Sequence, residues 1–190
     1  MKRILSILLL VIIYSCKVKD VPNPEIVQDL PSYVYPLKTT GQGAWNTDGF
    51  TISCNQGEGY TMTSRSFQYF ELSVEFKPEG DVNSGIFFGC EDENFSATGC
   101  YEANIWDDHP NQDFRTGSIV TKALPLCKVD TYGKWNTFKI SAKKGSIMTW
   151  VNGQLTSEIK GEININPSVI GFQKFGGGEI QFRNLTIKEI

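Results

Sequence analysis

A period-two alternation of apolar and polar side chains runs along most of this chain, and it limits the possible folds more than any other feature. Phe70, Leu72, Val74 and Phe76 alternate with Glu71, Ser73, Glu75 and Lys77. Successive side chains of a strand point to opposite faces, so this is a strand with one buried and one wet side. Phe138, Ile140 and Ala142 repeat the pattern, and Ile147, Thr149 and Val151 oppose Met148, Trp150 and Asn152. Asn152-Gly153 is a hairpin signal leading into Gln154–Ile159. Ile180 and Phe182, then Leu185 and Ile187, sit out of phase across Arg183-Asn184, which predicts a bulge. The run Asn83–Gly89 is a turn followed by continuous apolarity, as in a strand buried on both faces. Gly176-Gly177-Gly178 reads as a turn and lacks the lysine of a phosphate loop. No helical stripe competes. The predicted fold is all-β: an antiparallel β-sandwich or jelly roll of about ten or more strands.

The N-terminus has a different character. Lys2 and Arg3 precede an apolar run, Ile4 to Tyr14, too short to span a bilayer and suited to a secretory signal. Ser15-Cys16 then resembles the lipobox of bacterial lipoproteins, which implies cleavage before Cys16 and a lipid on its sulfur. The expected organisation is a signal over 1–15, a lipid-anchored tether over 16–44 and a β domain over 45–190. Pro22, Pro24, Pro31 and Pro36 mark the tether, on which Tyr33, Tyr35 and Leu37 are placed to dock. The expected location is the bacterial cell envelope, periplasmic or surface-facing, with the lipid chain as the membrane contact. Removing residues 1–15 takes away Lys2 and Arg3 and no acid, so the net charge of −3 becomes −5. That balance, with no basic stripe, argues against a nucleic-acid partner. Cys54, Cys90, Cys100 and Cys127 remain. A Cys90–Cys100 bridge would span one strand connection, but four cysteines allow three pairings, and free buried thiols are the alternative.

With a single His in 190 residues, a multi-histidine metal site is excluded. The chemistry must rest on carboxylates, amides, aromatics and one imidazole. The richest segment is Tyr101–His109. Alternation places Glu102, Asn104 and Trp106 on one face, and Tyr101, Ala103 and Ile105 on the other. A carboxylate, an amide and a large ring together suit a sugar, whose C–H face stacks and whose hydroxyls bond. Glu102 and His109 form a candidate acid–base pair, with Asp107 and Asp108 expected to raise the imidazole pKa. The Asp-Asp pair is also a weak signal for Ca²⁺; no other cofactor is indicated. Glu91-Asp92-Glu93 lacks the context of a paired-carboxylate glycosidase and reads as an acidic loop.

Several segments, in order, resemble one family. Glu71–Lys77 followed by Asn83–Phe88 is similar to its "FEL-x-x-EFK … NSGIFFR" pattern, and Tyr101–His109 to "YEVQI-x-D-x-H". Arg115–Ile119, Lys134–Asn136, Val151–Gly153, Ile170–Gln173 and Phe182–Lys188 supply further matches. The chain resembles the 3-keto-disaccharide hydrolases, which have a concanavalin-like jelly roll. The resemblance implies a glycoside oxidised to a ketone at C3, whose C2 proton a base removes so that the C1 aglycone leaves and water adds. It implies Glu102, Asp107 and His109 as base, acid and orienting group, and Asn104, Arg115 and Gln173 as sugar or enolate contacts, beside Trp106 as the stacking ring read from the alternation. Gly89, Val120 and Phe175 stand where the family has Arg, Tyr and His. The alternatives are therefore a carbohydrate-binding lipoprotein without activity and a structural surface protein.

Overall fold

The computed structural model describes residues 29–34, 37–92 and 94–190. The signal-like residues 1–15, Cys16 and the tether up to residue 28 lie outside the described residues, as do Tyr35, Pro36 and Glu93. The described chain forms β1 (Lys38–Gly41), β2 (Trp45–Thr47), β3 (Thr51–Cys54), β4 (Gly59–Met62), β5 (Phe70–Glu79) and β6 (Val82–Phe88). It continues with β7 (Tyr101–Ile105), β8 (Asn136–Lys143), β9 (Ser146–Val151), β10 (Gln154–Lys160), β11 (Gly171–Gly176) and β12 (Glu179–Glu189). One 3-10 turn, Gln112–Phe114, sits in the long connection after β7.

The strands make two antiparallel sheets, ordered β1-β4-β11-β6-β7 and β10-β9-β8-β5-β12-β3-β2. Each inner face follows from the alternation. Phe70, Leu72, Val74 and Phe76 of β5 pack with Phe138 and Ile140 of β8 and with Ile86, Phe88, Ala103 and Phe172 of the facing sheet. Strand β6 is buried on both faces, as its continuous apolarity predicts. Asn152 (φ 51°) and Gly153 (φ 76°) make the tight β9–β10 turn, and the β12–β5 register slips between Arg183 and Thr186. Two of the crossings between the sheets, the β5–β6 and β11–β12 turns, join interior strands and lie side by side. There Gly80 and Gly178 touch: a Cβ on Gly178 would lie 2.0 Å from the Glu79 carbonyl oxygen, so only glycine fits.

Strand pairing begins ahead of the expected boundary at Trp45. β1 runs beside β4, Val34 is buried, and Leu30, Tyr33 and Leu37 pack on the core. The Tyr33 hydroxyl accepts the Ile187 N–H at 3.0 Å. Apolar side chains spaced among prolines show no periodicity, yet they bury well. Cys90 and Cys100 form a disulfide, while Cys54 and Cys127 are thiols.

Candidate functional site

Register fixes which residues share the outward face of the five-stranded sheet. Tyr60 of β4 is opposite Gln173 of β11, Gln173 falls beside Gly85 of β6, and Gly85 is opposite Asn104 of β7. Glu102 is one step along, opposite Phe87. The missing side chain at Gly85 makes room for Glu102: a Cβ there would meet Glu102 Cγ and Oε1 at 3.2 Å. The carboxyl thus leans over the glycine toward Gln173 and Tyr60.

This face is covered. The loop between β6 and β7, closed by the Cys90–Cys100 bridge, lays Phe95 over Gly171, where a Cβ would lie 2.5 Å from the ring. Phe95 and Phe87 pack against Tyr60, with ring centroids 4.7 and 5.4 Å away. Under this cover Glu102 is only 6% exposed. Burial disfavours its charged form and raises its pKa from the usual 4.5 to about 7. Burial also raises the Tyr60 pKa, and Glu102 adds to the rise, so the phenol keeps its proton at neutral pH. Gln173 donates through Nε2 to the Tyr60 oxygen at 3.3 Å, and Asn104 donates through Nδ2 to the Phe114 carbonyl. The other amide atoms, Gln173 Oε1 and Asn104 Oδ1, are buried with no donor among the described residues. Buried acceptors without donors are uncommon and costly. Here two of them share a face with a carboxyl poised at neutrality.

The other expected residues gather at the far end of β7. Four residues of extended chain, about 13 Å, separate Glu102 from Trp106. The Trp106 Nε1–H donates to Asp81 Oδ1 at 3.1 Å, and the His109 ring meets Trp106 edge-on at 4.6 Å. The His109 ring also meets Phe114 edge-on at 5.6 Å, the residue whose carbonyl accepts from Asn104, and His109 bonds the Asn111 N–H rather than Glu102. His109 Nδ1 accepts the Asn111 N–H at 3.0 Å, so the neutral ring carries its proton on Nε2. The Asp107 carboxylate is turned away from the imidazole: it accepts the Thr131 N–H at 2.5 Å and the Thr131 hydroxyl at 3.0 Å. Arg115, 3% exposed, is held inside the same corner. Its guanidinium donates to the Val129 carbonyl at 2.6 Å and to Gln112 Oε1 at 3.0 Å. Gln112 in turn donates to the Asp107 and His109 carbonyls. Asp107 and Arg115 thus fix the loop that presents His109 and Trp106, where the resemblance implied a catalytic group and a substrate contact.

Sequence reasoning missed Tyr60, Gly85 and Phe95. Tyr60 lies on a short strand with too few residues to show alternation, and Phe95 sits in an aperiodic loop. Gly89 turns at φ +62°, and any Cβ there would press on Ile165 at 2.9 Å, so no arginine-like side chain could stand there without a shift. Phe175 packs 5.5 Å from the Tyr60 ring.

A family model described as the 3-keto-alpha-glucoside-1,2-lyase-like domain matches residues 36–188. A solved structure of a candidate glycosyl hydrolase from Parabacteroides distasonis is 24% identical, with 77% of this chain and 90% of that one covered and a TM-score of 0.66. A second from the same organism is 18% identical, covers 77% and 83%, and has a TM-score of 0.67. A carbohydrate-binding module from Bacillus subtilis is 16% identical, covers 80% and 95%, and has a TM-score of 0.60. At these identities the likeness is one of fold. No curated protein matches the chain.

Proposed function

Because this chain belongs to the family of 3-keto-alpha-glucoside-1,2-lyase-like domains, we propose that it cleaves glycosides oxidised at C3, with Glu102 as the base. One observation carries the reading: a buried carboxyl with a pKa of about 7 beside the buried, donor-free amide oxygens of Gln173 and Asn104. Sugar hydroxyls are donors of the kind those oxygens lack, and a base poised near the working pH is the most effective.

The ketone acidifies the C2–H bond. Glu102 takes that proton, and the electron pair delocalises onto the C3 oxygen as an enolate. The protonated Tyr60 hydroxyl and the Gln173 amide N–H, on the same face, are the donors proposed for that charge. The enolate then collapses: a C1–C2 double bond forms, the C1–O bond breaks, and the leaving oxygen takes the proton held by Glu102, which returns the base to its starting state. Water then adds across the double bond, hydroxyl to C1 and proton to C2, and the net change is hydrolysis. His109, held by the Asn111 N–H and packed between Trp106 and Phe114, has no part in these steps.

The test is aglycone release from 3-keto-glucosides by the mature domain. Release that disappears in Glu102→Gln supports the reading; full activity in that variant removes Glu102 from the mechanism. The absence of an arginine at Gly89 and of a histidine at Phe175 favours a second reading, sugar binding without cleavage. Binding with no release by the wild type would select it. We further propose that the domain is anchored in the cell envelope by lipid on Cys16, so Cys16→Ser should leave the protein uncleaved or soluble. Unchanged membrane retention would count against the anchor.

A further inference from the structure

On the β1–β4 side of Tyr60 the same sheet face opens into a groove of about 590 Å³. The rings of Tyr60, Phe95 and Phe175 line it, with Thr40, Gln42 and Asn94 among its polar residues. Among the described residues no lysine, arginine or histidine lines it. Its one acid, Glu58, already accepts the Gly176 N–H at 3.0 Å. The groove therefore suits a neutral ligand. Its size is that of a small-molecule site.

The groove borders the Glu102 site across a single residue, Tyr60. The Tyr60 ring forms its wall, while the Tyr60 hydroxyl meets Gln173 at 3.3 Å and its phenol senses the Glu102 charge. A sugar held at Gln173 and Glu102 would send its neighbouring group past Tyr60 into this space. The rings are not a flat platform. Phe95 and Phe175 are tilted 32° and 59° to Tyr60, with centroids 4.7 and 5.5 Å away. A pyranose stacks its C–H face on one flat ring. A corner of faces and edges favours a planar aromatic guest, which can make offset and edge-to-face contacts together.

Building on the proposed cleavage reaction, we propose that this groove is the aglycone subsite and that it selects a neutral aromatic aglycone over a methyl group or a second sugar. Phe175 and Phe95 are its specificity-determining residues. Glu102→Gln, which holds ketosides without turning them over, allows affinity to be measured apart from leaving-group chemistry. By titration calorimetry, this variant should bind phenyl 3-keto-glucoside at least tenfold more tightly than the methyl 3-keto-glucoside of the same anomer. Adding Phe175→Ala should remove most of that preference while methyl affinity stays within about twofold, which also reports intact folding. Equal affinities, or tightest binding of a 3-keto-disaccharide, would overturn the proposal. Wild-type protein with unoxidised phenyl and methyl glucosides repeats the comparison should Glu102→Gln fold poorly. Absence of ketoside cleavage with a Phe175-dependent aryl preference intact would sink the cleavage reading and leave the selectivity standing. Cleavage without aryl preference would do the reverse.

Discussion

Glu102 should make its position felt in two measurements. If it is the base, the rate should rise with pH through about 7, as its carboxyl ionises. Glu102→Gln should lower the rate by about 10² to 10⁴-fold, the usual contribution of a general base. Stability should move the opposite way. The folded carboxyl holds its proton more tightly than the unfolded one, so its contribution to stability is fully present below the unfolded pKa of 4.5. That advantage is lost as pH rises toward 7, by up to about 3 kcal/mol for a shift of this size. Denaturant melts across that window should show the fall in wild type and flatten it in Glu102→Gln; identical curves would mean that Glu102 is not buried as described. Gly85→Ala tests the same side chain by crowding. Its Cβ would press on Glu102 at 3.2 Å, so the carboxyl must shift by a few tenths of an ångström. Aglycone release should fall with little change in circular dichroism.

At the level of elements, the loop between β6 and β7 decides how dry the site is. The Cys90–Cys100 bridge closes it and Phe95 seals it over Gly171. A loop of this length contributes about 2–3 kcal/mol through its disulfide in the chain-entropy account. Reduction, or Cys90→Ala with Cys100→Ala, should cost about that much and expose residues 91–99 to protease. A loop that stays resistant after reduction would show that Phe95 holds it alone. The strands were legible because their alternation is strict: β5, β8 and β9, the Asn152-Gly153 turn and the slip in β12 all stand where the pattern puts them. The shared face of Glu102 and Asn104 was legible for the same reason. The partners across the sheet were not. Gln173 was found by resemblance, whereas Tyr60 and Gly85 become neighbours of Glu102 only through the order β4-β11-β6-β7, which joins segments far apart in sequence. Loop chemistry was the least legible: nothing local reveals that Asp107 bonds Thr131 rather than facing His109.

For the molecule as a whole, the N-terminal edge matters more than its proline content suggests. A chain begun at Trp45 lacks β1, the buried Val34 and the Tyr33 bond to Ile187. Burial of a valine alone is worth about 1.5–3 kcal/mol. Such a truncation should melt well below a chain begun at Asp29; equal melting points would show that residues 29–44 add nothing to the fold. The seven-stranded sheet has a related property. Its interior strand β12 comes last in the chain, yet it lies between β5 and β3 and forms the seam that joins them. Until residues 179–189 have been synthesised, the early strands have no partner to complete their sheet. Folding must wait for the whole domain, because a long loop has to close before its contacts reward it. For a protein exported as proposed, that delay is useful: the emerging chain stays threadable through a translocation channel, and the fold closes only on the far side.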